Sequence, residues 1–251
     1  MSSTLERARP DGESAVTFGR AQLLYLWLTA IFVTCLLLAN IVGSKFFFFG
    51  TVNIGGIELH VEHSVGMFAF PITFLLTDLL NEYFGKRGAR RVTFIGLAMS
   101  LLAFGFLFFA TRAPAAEPSR TFIDEAAFDA VLSGSGTMIM ASMIAYLCGQ
   151  FTDIWSFRAF KRLTGERLLW LRATGSTVIS QAVDTTAIMT VLALFSTLAD
   201  GRPPDLAFTL TAAAKGYAIK FAIAILTTPF IYLLRATVER VFGVRPAPME
   251  A

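Results

Sequence analysis

Six apolar segments, each long enough to cross a lipid bilayer as a helix, constrain this chain more than any other feature of its sequence. They cover residues 23–42, 64–80, 92–110, 137–157, 174–198 and 206–234. A helix rises about 1.5 Å per residue, so roughly 20 apolar residues cross the ~30 Å of hydrocarbon in a bilayer. Hydrophobic residues make up 55% of the chain, and the charged 16% are concentrated between the segments. The sequence therefore predicts an all-α membrane protein, a single compact bundle of six transmembrane helices.

The basic residues between the segments predict the orientation of the bundle. If the six segments alternate across the membrane, 15 of the 21 lysines and arginines lie on one side and four on the other. Cytoplasmic loops carry the excess of lysine and arginine in membrane proteins. We therefore expect a multi-pass protein of the cell inner membrane with both termini in the cytoplasm. Its cytoplasmic tails would cover residues 1–20 and 236–251, and its transport domain residues 21–235.

Several classes of function lack their sequence signatures. The chain contains no GxxxxGK[ST] loop for ATP, no HExxH zinc motif and no GxSxG nucleophile elbow. Its two cysteines, Cys35 and Cys148, lie in apolar segments without a histidine at metal-ligand spacing. We expect a protein that is not an enzyme and that uses no cofactor, metal or nucleic-acid partner. An intramembrane hydrolase built on Ser180 and Lys220 stays open as an alternative.

The connection between the third and fourth segments contains a short amphipathic pattern. It reads TFIDEAAFDAVL, in which Phe122, Phe128 and Leu132 recur at helical spacing. We expect a short helix on the outer surface of the membrane here.

Acidic and amide side chains within the second and fourth segments are candidates for a transport pathway. A charge at the centre of a span costs about 2.5–3.5 kcal/mol, so such residues usually face a cavity or a partner. Asp78 shares a helical face with Glu82, and Gln150 shares one with Asp153. Either pair can line the cytoplasmic end of a pathway. Alternatively, Asp78 and Glu82 form an interfacial cap beside the basic loop KRGARR, which begins at Lys86, and Asp153 pairs with Arg158.

The fifth segment carries the longest polar stripe of the chain. Its members recur at helical spacing and are Ser176, Thr177, Ser180, Gln181, Asp184 and Thr185. Small hydroxyl residues also mediate helix packing in membranes, so the serines and threonines fit either role. Asp184 lies near the middle of the span, where the cost of a carboxylate is offset only if it meets a counter-ion, a proton or a substrate. Its natural counter-ion is Lys220 of the sixth segment.

Four stretches of the sequence together resemble the queuosine precursor transporter family, which is also described as a vitamin uptake family. They are FPITFLLTDLLNEYFGKRGAR, AYLCGQFTDIWSF, STVISQAVDT and KGYAIKFAIAILTTPFIY. The resemblance implies import of 7-deazaguanines, such as 7-cyano-7-deazaguanine and 7-aminomethyl-7-deazaguanine, for salvage into the queuosine of tRNA. It also adds Asn40 of the first segment, which matches an asparagine of the family.

The resemblance and the polar stripes together give a set of candidate substrate-binding or transport residues. They are Asn40, Asp78, Gln150, Asp153, Ser176, Thr177, Gln181, Asp184 and Lys220. A deazaguanine presents a ring N–H beside an exocyclic amine, and one carboxylate can accept hydrogen bonds from both. Asp78, Asp153 or Asp184 fits this role. The expected partners are a small 7-deazaguanine-type substrate and the lipid bilayer, and a homo-oligomer is compatible with the sequence. A membrane subunit of an ATP-energised vitamin uptake system is the alternative.

Overall fold

A computed structural model describes most of the chain. The described residues are 18–43, 45–54, 57–114, 116, 122, 124–132, 136–164, 168–200 and 206–246. The tails expected at 1–20 and 236–251 therefore fall partly outside the described residues.

Helices dominate the described part of the chain. In order, its elements are α1 (Arg20–Val42), β1 (Phe46–Ile54), β2 (Ile57–Ser64), a 3₁₀ turn (Val65–Ala69), α2 (Phe70–Ala110), α3 (Glu125–Leu132), α4 (Gly136–Thr164), α5 (Leu169–Asp200) and α6 (Leu206–Phe242). The helix expected in the third connection is confirmed as α3. The last helix continues seven residues past position 235, where the sequence placed the start of the tail.

Helix α2 is broken at Gly85, where the basic loop was expected. The backbone there has φ 62° and ψ −172°, a conformation essentially restricted to glycine. Tyr25 of α1 contacts both sides of the break. Its ring lies 4.9 Å from that of Phe84, and its hydroxyl donates a hydrogen bond to the carbonyl of Gly88 at 3.0 Å. One end of α1 therefore packs against the point where α2 turns.

The two halves of α2 run alongside α1 in opposite directions. Farther along α1, Ala39 contacts Gly66, which precedes the first half of α2. Phe32, in the middle of α1, contacts Gly96 in the second half. From Tyr25 toward the C-terminal end of α1, the contacts run from Phe84 back along the first half of α2 to Gly66. In the second half they run forward, from Gly88 to Gly96. This part of the chain is a helical hairpin, as the separate second and third segments require.

A β-hairpin in the first connection was not predicted. Strands β1 and β2 pair antiparallel from Phe46–Ser64 to Ile54–Ile57, with an irregularity beside Gly50, whose φ is 148°. Two glycines, Gly55 and Gly56, separate the strands in the sequence, a pattern that favours a two-residue hairpin turn. The expected all-α fold class is thus correct for the bundle but incomplete for this connection.

The outer surface of the bundle is apolar. Trp27, Phe106, Phe109 and Leu226 each expose more than 60% of their surface. Continuous exposed apolar faces of this kind mark contact with a membrane or another protein. Three described helical stretches are long and apolar enough to cross a membrane: Arg20–Val42, Val65–Ala110, which contains the hairpin, and Ala213–Phe242. The other two predicted segments fall in α4 and α5, which have 29 and 32 residues.

The turn at Gly85 gives a first prediction. Because no atom of the described residues lies within 4 Å of a Cβ built at this position, we expect Gly85→Ala to suffer mainly from its backbone conformation. We expect a loss of about 1–3 kcal/mol in stability, measured as a lower melting temperature of the purified protein in detergent. Gly105→Ala is the matched control, because it lies in the helical second half of α2 with the same free space. That variant should melt no lower than the wild type. Equal effects of the two substitutions would contradict the strained turn.

Candidate functional site

One buried carboxylate, that of Glu82, connects four helices. It accepts a hydrogen bond from the guanidinium of Arg172 at 3.1 Å and one from the ammonium of Lys161 at 3.2 Å. The guanidinium of Arg235 lies 3.9 Å away. The side chains of Glu82 and Arg172 are 4% and 0% exposed. Glu82 of α2 thus meets buried cations from α4 and α5 and a partly exposed cation from α6.

The sequence pattern alone does not indicate this cluster. Lys161, Arg172 and Arg235 are among the 15 basic residues that predict the topology, and Glu82 is expected there either to line a pathway or to form an interfacial cap. The structure supports the pairing of Glu82 with basic residues, but it buries the group instead of leaving it at an interface. The available signal was the position of Arg172, four residues before Ser176 and hence on the polar face of α5.

Asp78 lies one turn before Glu82 and is also buried. Among the residues that the structure describes, none donates a hydrogen bond to its Oδ1 atom. Glu82, Arg172 and Asp153 are near enough to interact with it electrostatically. Asn81, its neighbour on α2, is equally buried, and both polar atoms of its side chain are also without a described partner.

Asp153 of α4 and the polar stripe of α5 face each other. The hydroxyl of Ser180 donates a hydrogen bond to Asp153 Oδ1 at 3.2 Å. The described ion pairs do not include the alternative pair between Asp153 and Arg158. The other predicted members of this face are placed as follows: Ser176, Thr177 and Gln181 are buried, and Gln150 is half-buried.

Asp184 and Lys220 form the ion pair that the sequence predicted. The ammonium of Lys220 donates to Asp184 Oδ2 at 2.8 Å and lies 5.1 Å from the ring centroid of Phe70. Gly149 of α4 packs against this pair, because a Cβ at that position would lie 3.1 Å from the Cβ of Asp184. The glycine therefore lets α4 approach α5 at the level of the carboxylate.

These contacts place four carboxylates in order along α5. Glu82 meets α5 at Arg172, Asp78 lies beside Thr177, Asp153 meets Ser180, and Asp184 follows. We call these four acids and their partners the carboxylate row. It extends along α5 from Arg172 to Asp184, a rise of about 18 Å. Asn40 is not part of it, because that residue is exposed on α1.

A small pocket opens beside Asp78, between α2, α5 and α6. Its polar and aromatic lining consists of Phe74, Asp78, Thr174, Thr177, Thr227 and Thr228. Its volume of about 10 Å³ is comparable to the space of one water molecule. Pro229 follows the two threonines of α6 and lacks an N–H, so the helix is weakened beside the pocket. A larger ligand would enter only after the helices separate, and α6 has a natural point at which to bend.

The region that contains the four acids of the carboxylate row is also the region that matches a known protein family. The sequence profile of the family described as "Putative vitamin uptake transporter" matches residues 64–234. The chain belongs to this transporter family.

Two relatives of this transporter carry more specific names. The "Probable queuosine precursor transporter" of Bacillus subtilis (strain 168) is 29% identical over 174 residues, which cover 67% of this chain and 70% of the relative. The "Queuosine precursor transporter" of Escherichia coli (strain K12) is 33% identical over 143 residues, which cover 56% of each protein. No solved structure matches the chain significantly.

The Glu82 cluster gives the second prediction for this transporter. Glu82→Gln removes a negative charge that cations of three other helices contact, and breaking a buried ion pair costs about 3–5 kcal/mol. We expect a large fall in melting temperature and in abundance. Glu239→Gln is the matched control, because Glu239 pairs with the same Arg235 at 3.0 Å while its side chain is 45% exposed.

The control should change stability by about 1 kcal/mol or less. A loss for Glu82→Gln as small as that of Glu239→Gln would show that the buried cluster does not hold the helices together.

Proposed function

We propose that this protein imports queuosine precursors of the 7-deazaguanine type across the cell inner membrane, for salvage into tRNA. The observation that carries the proposal is the carboxylate row, which lies within the region that matches the transporter family. Both relatives bear the name queuosine precursor transporter, one of them with the qualifier "Probable". The fold supplies an apolar outer surface for lipid and a polar interior for a polar cargo.

The chemistry of the row suits a guanine-like molecule. Its ring N–H and exocyclic amine point in one direction, and a carboxylate accepts hydrogen bonds from both. The row offers Asp78, Asp153 and Asp184 as acceptors at successive depths. Gln150 and Gln181 can donate to the carbonyl of the base, Ser176 and Thr177 complete the polar wall, and Lys220 holds Asp184 in place. Asn40 stays a prediction from the resemblance alone.

The proposed topology has six membrane passes with both termini in the cytoplasm. The hairpin at Gly85 supports two passes within α2, and Lys86, Arg87 and Arg90 at its turn are exposed. Basic residues at such a turn favour the cytoplasmic side. In this orientation the Glu82 cluster lies toward the cytoplasm, and the pair of Asp184 and Lys220 lies deeper in the membrane.

The same geometry suggests how transport proceeds. The Glu82 cluster closes the bundle on the cytoplasmic side by holding α4, α5 and α6 against α2. Release of cargo to the cytoplasm requires these contacts to rearrange. Asp78 lies one turn before Glu82 on α2, so a cargo bound at Asp78 would lie beside the cluster. Occupancy of the pocket and opening of the cytoplasmic side are thereby coupled.

Uptake in a cell that depends on salvage tests the function. The host should lack both its own synthesis of 7-deazaguanines and its own transporter for them. We expect expression of this chain to restore queuosine in tRNA, measured by mass spectrometry, when 7-cyano-7-deazaguanine or its aminomethyl relative is supplied. Adenine and common vitamins should not compete with labelled substrate. Failure to accumulate the label, with normal amounts of protein in the membrane, would contradict the proposal.

Purified protein in liposomes separates the remaining alternatives. Uptake by the protein alone excludes a subunit that depends on a separate ATP-driven complex. Recovery of the label as unchanged substrate excludes an intramembrane enzyme.

A further inference from the structure

Asp78 differs from the other acids of the carboxylate row in its partners. Glu82 meets cations from three helices, Asp153 accepts a hydrogen bond from Ser180, and Asp184 pairs with Lys220. Asp78 Oδ1 is buried, and no group in the described part of the chain donates to it. A buried acceptor without a donor is a cost to the fold that a donor on a ligand would remove.

The pocket shows where such a ligand would lie. Asp78 lines it together with residues of α5 and α6, so its side chain borders the space between these helices. The other acids of the row do not line this pocket. Asp78 is therefore the acid of the row that combines a place in the pocket wall with an oxygen for which the described residues supply no donor.

The remaining walls of the pocket carry the groups that a flat, partly polar molecule needs, and such a molecule would enter once the helices separate. Phe74 supplies an aromatic face and stacks on Phe70, with ring centroids 6.0 Å apart and planes 7° from parallel. Phe70 in turn lies beside Lys220. On the opposite helices, the hydroxyls of Thr174 and Thr228 are 2.7 Å apart and line the same space. Aromatic faces bind planar bases by stacking, and hydroxyls can meet their polar edges.

We propose that Asp78 is the specificity-determining residue that accepts the paired N–H donors of a guanine-type base, while Phe74 stacks on the ring. This inference rests on the proposed function and narrows it to one of three acids. The cargo is then recognised by its 2-amino group, since a hypoxanthine-type base has the ring N–H but no adjacent amine. Threonine hydroxyls of α5 and α6 face the rest of the heterocycle.

The test compares two competitors in the uptake assay with labelled 7-cyano-7-deazaguanine. One is the unlabelled compound, and the other is the analogue that lacks the exocyclic 2-amino group. For the wild type we expect the analogue to compete about 10- to 100-fold more weakly, the effect of one hydrogen bond to a charged group. In Asp78→Asn, affinity for the amino compound should fall by a similar factor, so that the two competitors become nearly equal.

Asp153→Asn is the matched control, because Asp153 is buried in the same row but already has a protein donor. It should lower the rate of uptake while the ratio between the two competitors stays as in the wild type. If Asp78→Asn does not accumulate, Asp78→Glu keeps the charge and displaces the carboxylate. It should raise KM at least tenfold and change kcat little.

Each outcome bears on the proposal. An unchanged competitor ratio in Asp78→Asn, or an unchanged KM in Asp78→Glu, overturns the role of Asp78 and leaves the proposed function intact. A collapse of the ratio in Asp153→Asn instead assigns the recognition to Asp153. Absence of uptake by the wild type overturns the proposed function and this inference together.

Discussion

The carboxylate of Glu82, buried against basic side chains from three other helices, is the interaction on which the bundle depends most. An uncompensated charge in a low-dielectric interior costs several kcal/mol, so Glu82, Lys161 and Arg172 can stay buried only if they remain together, with the partly exposed Arg235 at the edge of the cluster. This requirement fixes the positions of α2, α4, α5 and α6 relative to one another. It also brings the polar face of α5 toward Asp78 and Asp153. The transport pathway that we propose is therefore a consequence of the same contacts that hold the helices.

The rest of the row shows how polar groups can be placed inside an apolar fold. The polar positions of α5 recur every three or four residues, so they share one face and meet partners on α2, α4 and α6 in turn. Gly149 allows α4 to lie close to Asp184, and Pro229 weakens α6 beside the pocket. Close packing at one level and a weakened helix at another suit a protein that must hold its cargo and then release it.

The sequence predicted those features that depend on local pattern. The length of the apolar segments predicts the helices, and the basic residues between the second and third segments predict the turn found at Gly85. The cost of placing a charge within a span predicts the pair of Asp184 and Lys220. Other features depend on which helices become neighbours, and periodicity contains no such information. The partners of Glu82 looked like loop charges because they lie near segment ends. The pocket beside Asp78 needs threonines from two helices that are distant in the sequence.

The central claim is that the carboxylate row handles cargo in addition to holding helices, and the double variant Asp184→Asn with Lys220→Met tests it most directly. Each single substitution leaves one half-buried charge without the partner seen in the structure, whereas the double variant leaves neither charge. Abundance in the membrane and uptake of labelled 7-cyano-7-deazaguanine should be measured for the wild type, both singles and the double. We expect the double variant to regain the abundance that the singles lose but not to transport. Normal uptake by an abundant double variant would contradict it.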